Sequence, residues 1–166
     1  MTTHNMIVDT PIGPVRIQGT DRAVTHLTFV TPDTAPDGRR PPCGKPVAEA
    51  ARQLEAYFAD RREAFDLPLA PEGTAFQKRV WHALCQIPSQ QTRSYGDIAK
   101  TLGQPGASRA VGLANARNPI AVIIPCHRVI GAGGNLTGYA GGVTRKIWLL
   151  THEGHRLDTS RQRLAR

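Results

Sequence analysis

The chain has 166 residues, 40% hydrophobic and 20% charged, which supplies enough apolar material for a packed core and excludes global disorder. Its net charge of +8 is unevenly placed: residues 1–70 hold 8 Lys+Arg and 9 Asp+Glu, whereas residues 71–166 hold 13 and 4. A basic half beside a near-neutral half points to a polyanionic partner, nucleic acid being the commonest, with solubility alone as the bland alternative.

Residues 7–30 read as strands, broken by turns at Gly13-Pro14 and Gly19-Thr20-Asp21. The Pro-, Gly- and Asp-rich stretch 31–46 predicts a loop, and Val47, Ala51, Leu54 and Phe58 recur at helical spacing. Residues 65–69 suggest a short strand, and Pro71-Glu72-Gly73 marks a boundary between a 1–71 and a 72–166 domain. Thr74 and Gln77 form a capping box ahead of an apolar face of Phe76, Val80, Leu84 and Ile87. Ser94 and Asp97 open another helix over Tyr95, Ile98, Ala99 and Leu102, and Gly103 stops it. After the turn Gln104-Pro105-Gly106, residues 107–117 form the second helix of a helix-turn-helix. The last helix is expected from a Thr144 cap to about Glu153, with Gly154 as its stop and the basic tail 156–166 frayed. The fold class is α/β (α+β): a small sheet-plus-helix domain, then a mainly helical one.

Cys43, Cys85 and Cys126 show no CxxC spacing, which argues against a disulfide framework and for a reducing interior. Residues 1–5 are polar with no apolar segment behind them, and the longest apolar run, Ile120–Ile124, is too short to span a bilayer. A cytoplasmic protein away from membranes is expected. Cys85 lies beside a buried stripe and reads as a packed thiol; Trp81 and Trp148 read as core.

Cys126 follows a proline and precedes His127 and Arg128, groups that raise the thiolate fraction of a neighbouring thiol. It is either a nucleophile or a buried structural cysteine; the pattern alone leaves both open. Glu153 falls in the last turn of a helix, where the dipole disfavours an anion. It is either a solvated surface carboxylate or the partner that orients His127. The helix 107–117 is rich in small residues: Ala107, Ser108, Ala110, Gly112, Ala114 and Ala116. Small side chains permit close approach, to a neighbouring helix or to a narrow DNA groove, and Arg109 is the long cation near its start. The residues so far describe a basic helix-turn-helix domain with a candidate reactive cysteine, and name no substrate.

The segments 124–131 (IPCHRVIG), 136–142 (LTGYAGG) and 148–154 (WLLTHEG) together resemble the O6-alkylguanine-DNA alkyltransferases. The likeness extends through 76–81 (FQKRVW), 94–99 (SYGDIA) and 108–118 (SRAVGLANARN) in the same order and spacing. The resemblance implies an N-terminal RNase H-like domain and a C-terminal DNA-binding, alkyl-accepting domain. It implies that Cys126 is the alkyl acceptor, that His127 takes its proton through a water, and that Glu153 holds His127. Asn118 would shape the turn and bond within this network. Tyr95 would protonate the departing guanine, and Arg109 would fill the gap left by the flipped nucleotide. Ser94, Ala107, Ser108, Ala110, Gly112 and Asn115 would meet DNA, in the minor groove. The carbonyls of Cys126 and Val129 would read the base's exocyclic amine, and Tyr139, Ala140 and Gly141 would wall the pocket.

The implied partner is duplex DNA carrying O6-alkylguanine, met by a monomer in a single irreversible transfer; O4-alkylthymine and cooperative binding stay open. No cofactor is implied. Ala140 stands where some relatives have serine, and His4, His26 and Cys43 lack the ligand spacing of a zinc site, so no metal is expected. Two rivals share these residues. A non-catalytic lesion-binding or regulatory helix-turn-helix protein needs no transfer, and a cysteine hydrolase using Cys126 and His127 would turn over repeatedly.

Overall fold

A computed structural model describes residues 2–33, 44–136, 138–158 and 163–165. The loop expected at 31–46 lies mostly outside the described residues, as does Cys43. The chain divides into two compact units, Met1–Glu72 with Pro119–Ile123, and Gly73–Asn118 with Ile124–Arg166.

In the first unit β1 (His4–Val8), β2 (Val15–Gly19) and β3 (Val24–Phe29) form an antiparallel sheet in the order β1-β2-β3. Alternation puts Met6, Ile17 and Leu27 in one register line, all buried, and helix α1 (Lys45–Phe58) packs Val47, Ala50, Leu54 and Tyr57 into the same core. Buried Gln53 is satisfied by the backbone of Asp66, both as donor and as acceptor at 2.9 Å. The strand expected at 65–69 is reduced to one parallel bridge, Val24 to Leu69. The edge of β3 is occupied instead by a distant segment: the Leu27 N–H donates to the Pro119 carbonyl at 2.9 Å, and the Leu27 carbonyl accepts from the Ala121 N–H at 3.1 Å. That segment contains Val122 at φ 69, a left-handed conformation that a buried β-branched residue adopts only under strain.

The second unit begins with α2 (Ala75–Cys85), whose Thr74–Gln77 capping box is complete in both directions. A second complete box, Ser94 with Asp97, starts α3 (Tyr95–Thr101), and the turn through Gly106 leads to α4 (Ser108–Ala116). The Trp81 indole donates to the Ala114 carbonyl at 2.8 Å, tying α2 to α4. Strand β4 (Arg93–Ser94) pairs in parallel with β5 (Val129–Ile130), so the start of α3 lies beside the chain leaving Cys126. Helix α5 (Val143–His152) is preceded by Gly142, with no side-chain cap, rather than capped by Thr144. The tail expected to fray instead contains β6 (Leu157–Asp158) and β7 (Arg163–Leu164), which pair antiparallel. Leu157 and Leu164 pack on a cluster of Ile130, Leu136 and Leu150, and that burial holds the hairpin. Trp81 is core, whereas Trp148 is half-buried and stacks on His152, and Cys85 ends α2 exposed rather than packed. Among the described residues no helix is long and apolar enough to cross a membrane.

Gly112 lies inside α4 facing the Tyr95 ring, and an added Cβ would meet that ring at 3.8–3.9 Å, ordinary contact. Alanine is favoured over glycine in a helix interior by about 1 kcal/mol. Gly112→Ala is therefore expected to raise the thermal midpoint by about 2–4 °C in calorimetry. A fall would mean that the close pairing of Tyr95 with α4 tolerates no added atom.

Candidate active site

The segment after the strained turn carries the candidate residues Cys126, His127 and Arg128. Asn118 donates its amide to the Ile124 carbonyl at 2.7 Å, closing the two ends of the excursion through 119–123. Pro125 then caps a single 3-10 turn, Cys126–Arg128, in which all three side chains are buried. Three consecutive side chains of which two are polar are costly to bury unless each polar group finds a partner.

Glu153 supplies it. Its carboxylate accepts two hydrogen bonds from Arg128, Nε to Oε1 and Nη2 to Oε2, each 2.8 Å, and a third from His127 Nε2 at 2.9 Å. The remaining Arg128 arm donates to the Ile87 carbonyl at 2.7 Å. Burial alone would raise the Glu153 carboxyl, but Arg128 and His127 outweigh it and hold the group at about 2. Glu153 therefore stays ionised although it sits at the end of α5, where the helix dipole opposes it.

An ionised acceptor fixes the histidine. Nε2 must carry the proton it donates to Glu153, and burial, the largest influence, lowers the imidazole pKa toward the neutral form. The other nitrogen, Nδ1, is then a lone-pair acceptor, buried and without a hydrogen-bond partner. The thiol of Cys126 is raised by burial and pulled back by the Asn118 amide and the charge of Lys146. A protonated thiol thus shares this buried segment with a neutral imidazole that has an unused basic nitrogen.

Lys146 is the residue that sequence reading missed. It is fully buried, and Nζ donates to the Val129 carbonyl at 2.6 Å. Burial lowers its ammonium to about 8, with the nearby Cys126 opposing that fall. Its signal was present: Lys146, Leu149, Leu150 and Glu153 follow the spacing of one helix face.

Other expected residues fall in different places. Tyr95 starts α3 with its hydroxyl 3.2 Å from where a Cβ on Gly138 would stand; Gly138 has φ +72, so glycine serves both the turn and the approach. Tyr139 is buried with its phenol pushed well up by burial and its ring 6.5 Å from that of His127; Ala140 beside it is exposed and Gly141 half-buried. Ser94 spends its hydroxyl as an acceptor for the Asp97 N–H at 3.0 Å. Arg109 and Ala110 are exposed on α4, with Ala107, Ser108 and Gly112 half-buried. Asn115, expected to face DNA, is buried instead and donates to the Cys126 carbonyl at 3.3 Å, because it shares the inward face with Val111 and Ala114. That carbonyl also accepts from the Val129 N–H, so both carbonyls expected to read a base are already engaged within the protein. Among the described residues no three His, Cys, Asp or Glu side chains converge as a metal ion would require.

The fold and this cluster define a two-unit protein with a helix-turn-helix beside a buried cysteine–histidine–carboxylate network. Residues 4–71 match the 6-O-methylguanine DNA methyltransferase ribonuclease-like domain, and residues 75–155 match the DNA binding domain of the same family. The methylated-DNA–protein-cysteine methyltransferase of Methanosarcina barkeri is 52% identical, over 91% of this chain and 97% of that protein. The Mycobacterium leprae protein of the same name is also 52% identical, over 95% and 96%. A crystal structure of Mycobacterium tuberculosis OGT in complex with DNA superposes with TM-score 0.80 at 49% identity, covering 90% of this chain and 92% of that one. The chain belongs to the 6-O-methylguanine DNA methyltransferase family.

Removing the Glu153 charge would leave Arg128 buried without its anion, and breaking one side of a buried pair costs about 3–5 kcal/mol. Glu153→Gln is expected to lose that much in urea unfolding at neutral pH. The folded carboxyl, at about 2, lies below its ordinary 4.5, so its contribution is complete above that ordinary value and drains away as pH falls between the two. The variant should lack this component of acid sensitivity; an unchanged acid profile would contradict the assignment.

Proposed function

We propose that this protein repairs alkylated duplex DNA by moving the alkyl group from O6-alkylguanine onto Cys126, once per molecule. The observation that carries the reading is the buried Cys126 beside His127, whose Nε2 is held by Glu153 and whose Nδ1 has no partner, in a chain of this family.

The chemistry follows from the tautomer. Nδ1 of His127 accepts the Cys126 proton, through one water, and Glu153 compensates the imidazolium that forms. The thiolate, supported by the Lys146 ammonium and the Asn118 amide, attacks the alkyl carbon in line with the C–O bond. A carbon–sulfur bond forms, the carbon–oxygen bond breaks, and its electron pair leaves on the guanine. The Tyr95 hydroxyl donates a proton to the departing base, which improves the leaving group. The product is a thioether, and no group in the cluster hydrolyses it, so the protein acts once.

A base stacked in a duplex is out of reach of a buried thiol, so the nucleotide must rotate out at a cost of a few kcal/mol. The exposed face of α4 docks in the minor groove, where its small residues fit, and Arg109 occupies the vacated stack. The basic surplus of residues 71–166 serves the phosphates. The protein acts as a monomer in the cytoplasm.

Incubation with O6-methylguanine duplex is expected to add one methylene to the Cys126 peptide and to stop at one equivalent; Cys126→Ala should bind DNA and transfer nothing. An unmodified peptide would favour a lesion-binding protein, and product beyond one equivalent a hydrolase. Arg109→Ala is expected to slow repair in duplex about tenfold or more while sparing reaction with free O6-benzylguanine. Equal losses on both substrates would remove the flipping role.

A further inference from the structure

Helix α4 buries Val111, Ala114 and Asn115, and its other side exposes Arg109, Ala110, Leu113 and Ala116, with Arg117 just beyond its end. Leu113 is 64% exposed, the only large hydrophobic side chain so exposed among the described residues. A lone exposed leucine is ordinary in itself. This one follows Arg109 by four residues, one helical turn, so the two project from the same face. Its neighbours on that face, Ala110 and Ala116, end at Cβ, so the leucine rises from a low helix surface with an arginine one turn to either side. With Arg109 given to the vacated stack, Arg117 on the other side is left for a phosphate, and the apolar surface between them faces the sugar and base edges that floor the minor groove. A protein surface would need carboxylates opposite both arginines and a pocket between them.

We propose that Leu113 is an apolar wedge that enters the minor groove one turn from Arg109 and packs on the deoxyribose and base edges beside the lesion. It makes the protein favour duplex over free base. The inference rests on the docking of α4 proposed above. Arg109 addresses the vacated stack, and Leu113 holds the flank against which the distorted duplex leans. The contact is apolar and releases no counterions, so its share of binding does not depend on salt.

The test compares wild type with Leu113→Ala and Leu113→Met. Single-turnover rates are measured on O6-methylguanine duplex and on free O6-benzylguanine, together with binding to undamaged duplex across a salt series. For Leu113→Ala the duplex-to-free-base rate ratio should fall about tenfold, the scale of losing one buried leucine contact. Binding should weaken by a similar factor with the same slope of log affinity against log salt, and Leu113→Met should recover most of both. An unchanged ratio and unchanged binding would overturn the proposal. So would equal losses on both substrates, which mark a structural role, or a self-association that disappears in Leu113→Ala while repair and DNA binding stay intact. The binding arm needs no alkyl transfer, so a wild-type protein that transfers nothing would sink the functional reading while binding still decides Leu113.

Discussion

The second unit depends on one buried carboxylate. Glu153 stands at the unfavourable end of a helix, out of water, and is kept charged by Arg128 and His127. Arg128 reaches from there to the end of α2 through the Ile87 carbonyl, so a single ion joins α5, the Cys126–Arg128 turn and α2. The same ion decides the chemistry. Because Glu153 cannot take a proton at working pH, the imidazole must donate from Nε2, and the basic nitrogen is turned to the other side of the ring. The bond that keeps the carboxylate buried is also the one that sets the imidazole tautomer.

Around that carboxylate the buried charges carry one cation in excess. Arg128 and Lys146 are cationic, Glu153 is anionic, and the thiol is neutral until it loses its proton. In the proposed transfer, ionising Cys126 moves its proton to His127, which places an anion beside the buried ammonium and a cation beside Glu153. Burial opposes thiolate formation, and a local cation with an amide donor oppose burial.

Local signals were legible in the sequence because their physics is local. Both capping boxes, the hairpin turns of the sheet and the helix-turn-helix spacing depend on residues three or four positions apart. The Cys126–Arg128 block was equally visible, being contiguous. What escaped depends on distant partners. Asn115 looked like a groove-facing residue until the inward phase of α4 was fixed by Val111 and Ala114. The tail hairpin exists because Leu157 and Leu164 find Ile130 and Leu150, and residues 119–121 line the edge of β3, nearly a hundred positions earlier. A short tail and a proline turn carry no pattern that announces such partners.

The proposed chemistry turns on the state of one imidazole. Nitrogen-15 NMR of histidine-labelled protein, at neutral pH and before any reaction, reads that state directly. His127 is expected to be neutral, with its proton on Nε2 and Nδ1 unprotonated, and to lose that pattern in Glu153→Gln. A proton resident on Nδ1, or an imidazolium already present in the unreacted protein, would contradict it.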